Sequence, residues 1–197
     1  MARCLSPRPI TLGGSLTQEI KACPHVVWDT VMDKDNATRI LRNLVERQVI
    51  QEGKRGVGSI VREVRMTKGK HQQESFKTIT SLSTPNDNDE KYSITVNVHL
   101  TEKSAFSGTK DAARTGSYTL VPGNSPNTCI FIWTFSAVPE GPFGVLWILL
   151  CKRRMLRDLE HHFGQDLQDY ATEAEKRQAI QDCSSGKQHY RDSHRDH

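Results

Sequence analysis

The stretch CPHVVWDTVMDKDNATRIL, Cys23–Leu41, carries the reading of this chain. Pro24 suits the first turn of a helix, where no backbone amide donor is needed. Val27, Trp28, Val31 and Met32 then fall at i, i+1, i+4 and i+5, a narrow apolar stripe at helical spacing. The polar run DKDN breaks the stripe, and Asn36 or Thr38 is placed to cap a second short helix whose Ile40, Leu41 and Leu44 face inward. Two helices this short do not form a core alone. They cap or plug something that the rest of the chain builds.

What it builds is read outward from that stretch. Upstream, GGSLTQEIKA alternates Leu16 and Ile20 with polar neighbours after a glycine pair, a first strand. Downstream the period changes to two in LVERQVIQE, SIVREVRMT, QQESFKTITSLS, KYSITVNVHL, TGSYTLVP and CIFIWTFSAV. The segments GKRGVG, KGK, TPNDNDE, TEKSAFSGTKDAAR and GNSPN separate these runs, so the strands form an antiparallel meander. After PEGPFG, Leu149, Leu156, Phe163 and Tyr170 repeat every seven residues, with Leu146, Leu159, Leu167 and Ala174 beside them. That pattern predicts one long amphipathic helix from Val145 to about Ala179. The closing QDCSSGKQHYRDSHRDH has too few apolar residues to offset the entropy of ordering. The expected organisation is a flexible segment 1–9, one domain over 10–180 and a disordered polar tail 181–197. A sheet with one apolar face must bury it. The only large apolar surface left is the terminal helix, so the α+β domain is a seven-stranded curved antiparallel sheet around that helix. The two short helices lie between strands 1 and 2.

Bulk properties narrow the function classes. The 197 residues fit one domain, and 36% hydrophobic with 25% charged residues is the balance of a soluble chain. The net charge of +4 is spread among alternating acids and bases, without the basic face and stacking aromatics of a nucleic-acid binder. The cysteines (Cys4, Cys23, Cys129, Cys151 and Cys183) are odd in number and never form C-x-x-C, which argues against a disulfide framework or zinc ribbon and for reduced thiols. The apolar run FGVLWILLC, Phe143–Cys151, is shorter than the roughly 20 residues a membrane span needs. The opening MARCLSPRPITLGG lacks the apolar core of a secretory signal, and a cytoplasmic protein is expected.

Three motifs in order carry a family resemblance. CPHVVWDTVMD resembles the proline–aromatic–aspartate opening of the START-like (SRPBCC; polyketide cyclase/dehydrase and lipid-transport) superfamily. EGKRGVGSIVREVRM resembles its glycine-rich turn and following strand, and GSYTLVPGNSPNTCIFIWTFSAVP its last hairpin. The resemblance spans about residues 10–180 and implies the helix-grip fold with a lipophilic cavity between sheet and helix. The gate and latch of the superfamily's plant hormone receptors have no counterpart in TKGK or EKSAFSGTKDAARTG, so that role does not carry over.

Alternation assigns Phe76, Thr78 and Leu82, then Ile94, Val96 and Val98, then Phe131, Trp133 and Phe135 to the inner face, with Leu156, Leu159 and Phe163 opposite on the helix. These line the implied cavity or simply pack as core. Arg62 and Glu74 can share the inward parity and orient a ligand carbonyl or act as a base. Alternatively both sit in water near strand ends, and the apolar Ile60, Val61 and Val64 make a bulge in that strand plausible. The adjacent His161 and His162 point about 100° apart and do not chelate one ion, His99 should face outward, and no histidine has a visible ligating partner. No nucleophile elbow, P-loop or dinucleotide fingerprint occurs. CKRRMLR, Cys151–Arg157, is either a solvated helix face or a site of transient membrane contact. The expected function is binding of a lipid or other hydrophobic small molecule, with no metal and no cofactor. The alternatives are a polyketide cyclase-like enzyme using the same cavity, its catalytic residues unassigned, and an adaptor with a filled interior.

Overall fold

The computed structural model describes residues 11–67, 71–85, 91–100, 114–125, 127–138 and 141–192. Its elements are β1 (Leu12–Ile20), α1 (Pro24–Met32), α2 (Ala37–Ile40), β2 (Leu44–Gln51), β3 (Ile60–Thr67), β4 (His71–Ser83), β5 (Tyr92–Leu100), β6 (Arg114–Pro122), β7 (Cys129–Ala137) and α3 (Gly141–Asp192). The strands form one antiparallel sheet in the order β1-β7-β6-β5-β4-β3-β2. This is the expected meander, with the first strand folded back beside the last. Segment 1–9, the KGK turn and residues 193–197 lie outside the described residues.

The long helix departs from its expected limits at both ends. It begins at Gly141 and continues to Asp192 instead of ending near Ala179. Pro142 is tolerated in the first turn, and propagation adds one backbone hydrogen bond for each further residue that joins.

The Cys23–Leu41 stretch folds into two helices, but its cap differs from expectation. The Asn36 side chain makes no cap bond. Instead the Asn36 backbone amide donates to Asp33 Oδ1 at 3.1 Å and its side-chain amide to Asp33 Oδ2 at 3.0 Å. Asp33 also pairs with Arg177 of α3, Nη2 to Oδ2 at 2.7 Å. Further along, Cys23 N donates to Gln178 Oε1 at 3.0 Å, and Arg42 Nε donates to Asp169 Oδ1 at 2.8 Å. The short helices and the loops around them are therefore the seat in which the later turns of α3 rest.

One face of the sheet closes on that helix. Ile94, Val96, Leu120, Phe131 and Trp133 are buried in a single cluster with Val27 and Trp28 of α1 and Leu167, Tyr170, Ala171 and Ala174 of α3. Each fully buried large side chain contributes about 1.5–3 kcal/mol. The helical repeat separates along its length. Leu156 and Leu159 pack into a second cluster with Leu12, Ile148 and Met155, while Leu146 and Leu149, members of the same apolar repeat, are 52% and 62% exposed. A 52-residue helix is about 78 Å long, whereas a nine-residue strand spans about 30 Å. The sheet is too short to cover every turn.

The β2–β3 connection is tight. Gly56 and Gly58 take φ of 87° and 86°, and a Cβ on Gly53 would lie 2.1 Å from Val57 O. Gly164, in contrast, sits inside α3 with nothing within 4 Å of a Cβ. Urea unfolding should show Gly53→Ala destabilised by more than about 2 kcal/mol. Gly164→Ala should be stabilised by about 0.8–1 kcal/mol, the helix-propensity difference.

Candidate functional site

The inner face of β3 and β4 is charged. Val61, Glu63 and Arg65 alternate onto the same side and stand opposite Lys77, Ser75 and Gln73 of β4. The pairs Lys77↔Val98 and Ile79↔Val96 carry that side into β5. Arg62, Glu74 and Phe76 lie on the other face, which corrects the inward placement expected of Phe76 and decides against the inward alternative for Arg62 and Glu74. Phe76 is opposite Arg62 and the exposed His99, and Thr78 is opposite the exposed Asn97. Arg62 spends its charge there, bonding Glu74 through Nε and Glu46 through Nη1, the latter at 2.7 Å. For the β4 residues the cause is a bulge between Ile79 and Ser81. It reverses the parity of β4, so the odd positions up to Ile79 and the even Leu82 share the inner face. Reading back from Leu82 without the bulge turns Phe76 and Thr78 inward.

Five ionisable side chains meet inside. Glu63 is 2% exposed. It faces Lys77 Nζ at 2.7 Å, Arg65 Nε at 3.0 Å and Arg47 Nε at 3.8 Å. Arg65 reaches across to α3, Nη1 to Asp166 Oδ2 at 2.6 Å. Burial pushes the Glu63 carboxyl up, but Lys77, Arg65 and Arg47 together outweigh it and hold it well below the usual range. Burial also opposes the Arg65 charge, and Asp166 and Glu63 overcome that opposition. For Lys77 the balance goes the other way, and burial lowers it despite Glu63. Tyr118 and Tyr170 are raised, chiefly by burial, and His162 is lowered by burial. The cluster thus sets the cations Arg47, Arg65 and Lys77 against two carboxylates. Arg47 Nε and Asp166 Oδ1 are buried without a hydrogen-bond partner.

Across the inner face from this charge, under β7, stands an aromatic wall. Trp133 lies 3.6 Å from Phe163 and 4.8 Å from Phe135, ring centre to ring centre, and Phe131 is 6.1 Å from Tyr170. Phe131, Trp133, Phe135, Ile94, Val96, Val98 and Phe163 all belong to the main core cluster or pack against it. Leu156 and Leu159 do not join them. Two concavities lined by described residues lie elsewhere: about 300 Å3 beside Val26, Asp29, Arg177, Ile180 and Gln181, and about 340 Å3 beside Arg42, His161, Gly164 and Gln168. Among the described residues no group of His, Cys, Asp and Glu is arranged to hold a metal, and Cys23, Cys129 and Cys151 are free thiols.

No family model and no curated protein matches the chain. Solved structures do. The Zhui aromatase/cyclase from a Streptomyces species superposes with a TM-score of 0.62 at 15% identity, over 85% of this chain and 96% of that one. Norcoclaurine synthase from Thalictrum flavum gives 0.62 at 11% identity, over 87% and 99%. The protein Ara h 8.0201 gives 0.55 at 8% identity, over 84% and 98%. The chain has the helix-grip fold. At these identities the likeness is one of architecture, and the chemistry has to be read from this helix-grip domain's own inner residues.

Those residues divide the interior into an apolar half under β7 and a charged half under β3 and β4. Sequence reasoning missed Arg47, Glu63, Arg65, Lys77 and Asp166, although the alternation Val61–Glu63–Arg65 was visible once Val61 was taken as the inward residue. Removing the central carboxylate tests how far the charged half depends on it. Glu63→Gln leaves the buried Arg65 and the largely buried Arg47 and Lys77 with only Asp166, and unfolding at neutral pH should show a loss of about 3–5 kcal/mol. The folded pKa of Glu63 lies below its ordinary value of 4.5. Its contribution is therefore complete above that value and disappears as the pH falls through the lower range. The stability gap between wild type and variant should narrow on acidification.

Proposed function

We propose that the protein binds a lipid or other hydrophobic small molecule between sheet and α3, its apolar body against the aromatic wall and a polar end toward the charged cluster. The observation that carries this reading is the division of one inner face. Phe131, Trp133, Phe135 and Phe163 occupy the β7 side and Arg47, Arg65 and Lys77 the β2–β4 side. Tyr170 packs on Phe131 and feels the charges of Arg47 and Arg65. Two buried polar atoms of the charged side lack a hydrogen-bond partner. An interior meant only for packing gains little from such groups, because each buried unpaired polar atom costs about 1–3 kcal/mol. A ligand oxygen supplied to Arg47 Nε, or a ligand hydroxyl donated to Asp166 Oδ1, would remove that cost. Ile94, Val96 and Val98 extend the apolar side, and entry requires separating Trp133 from Phe163. Cations outnumber carboxylates in the cluster, so the preferred polar end is acidic. The setting is cytoplasmic.

A second reading, a polyketide cyclase-like or related enzyme in the same interior, draws support from Lys77. Its amine is lowered by burial and lies 2.7 Å from Glu63, a pairing suited to moving a proton at a bound carbonyl compound.

Organic extraction of protein from its native source, followed by mass spectrometry, should release a stoichiometric lipophile. The stripped protein should then bind a fluorescent fatty acid. Lys77→Met combined with Arg47→Met should weaken that probe by about tenfold or more, and the matching fatty alcohol far less. No extracted lipophile together with no probe binding by the stripped protein would end this reading. Turnover of an extracted compound that ceases in Lys77→Met would favour the enzyme.

A further inference from the structure

The first turns of α3 leave one face uncovered. Leu146, Leu149 and Leu150 are 52%, 62% and 73% exposed. Steps of three and four residues return to the same side of a helix, so Arg153, Arg154 and Arg157 follow these leucines on that face. All three, and Lys152 beside them, are exposed. From Gly141 to Arg157 the sequence has no acidic residue, and none of the four cations pairs with a described carboxylate. The opposite side of the same turns is anchored. Ile148 and Met155 are 3% and 5% exposed and pack with Leu12 at the start of β1. The helix therefore cannot roll to hide its leucines without exposing that cluster.

We propose that this face docks on an anionic phospholipid surface, with Leu146, Leu149 and Leu150 entering the acyl boundary and Lys152, Arg153, Arg154 and Arg157 at the phosphates. The apolar and basic residues are separated along the helix axis, Leu146 to Arg157 covering about 16 Å. A helix lying flat would hold both sets at one depth. An inclined helix, amino end lowest, puts leucines below the phosphates and arginines level with them, within the roughly 5–10 Å that interfacial segments penetrate. No described helix is long and apolar enough to cross a membrane, so the contact is peripheral. A second copy of the chain fits the face poorly, because a two-fold contact brings the same arginines together. The inference rests on this outer surface alone and does not depend on what the interior holds.

Flotation with phosphatidylcholine vesicles, with and without phosphatidylserine, tests it on the full chain. Wild type should float with the anionic vesicles, far less with the neutral ones, and release as salt rises. Arg153→Gln with Arg154→Gln should lower the partition coefficient roughly 30-fold, the loss of two near-surface charges. Leu149→Ser with Leu150→Ser should lower it by more than about tenfold. These side chains are exposed, so the thermal unfolding midpoint of both variants should match wild type, separating lost docking from lost folding. Three results would overturn the proposal: no flotation of wild type, flotation of either double variant equal to wild type, or a wild-type dimer that Leu149→Ser with Leu150→Ser dissociates while vesicles bind neither form.

Discussion

The contact between Arg65 and Asp166 joins the middle of the charged strands to the helix that closes them. An inner face that is half aromatic and half ionic can be covered by one helix only if that helix carries a matching sequence at the matching place. Phe163 and Asp166 stand nearly one turn apart on α3, the first against Trp133 and the second against Arg65. Sliding α3 by a turn would place an apolar ring against the cations and leave Glu63 as their only carboxylate. Desolvated charges impose that penalty far more steeply than apolar packing does, since one aliphatic contact can replace another but an ion pair has few substitutes. The register of the helix therefore follows from electrostatics, and the packing of the core follows from the register.

The two short helices serve the same end. Their surroundings present Asp33, Arg42 and the Cys23 amide to Arg177, Asp169 and Gln178 of α3, Asp169 lying about one turn beyond Asp166 and Arg177 with Gln178 about two turns further on. Burial opposes the Asp33 charge, yet the bonds from Arg177 and Asn36 hold its carboxyl below the usual range. These contacts explain why a nine-residue helix with a tryptophan stops and restarts: α1 buries its apolar stripe against the sheet, and the break after it supplies the carboxylate that grips α3. Gripped at its later turns and over the aromatic wall, the helix has more length than the sheet can cover, and its surplus apolar face is displayed at the amino end. The same geometry thus creates a closed interior and an exposed leucine–arginine surface.

Much of this architecture was written locally. Period-two alternation, glycine-rich turns and one long amphipathic segment are properties of neighbouring residues, each set by backbone sterics and by which side chains tolerate water. They determined the strand order of the meander, the two short helices, the long helix and the inward placement of Ile94, Val96, Val98, Phe131, Trp133 and Phe135. The tertiary structure alone decided which face of β4 is inside, because one extra residue near Thr80 reverses the alternation and nothing in ITS announces it. With that reversal, Glu74 and Phe76 moved to the outer face and Lys77 to the inner one, where β3 meets them with Arg62 outside and Glu63 inside. It also decided that Asp166 meets Arg65, a pairing across about a hundred residues that no local period encodes, and that the heptad leucines at 146 and 149 have no sheet beneath them. Local sequence sets the direction of each side chain relative to its own strand or helix. Only the assembled chain sets what lies in that direction.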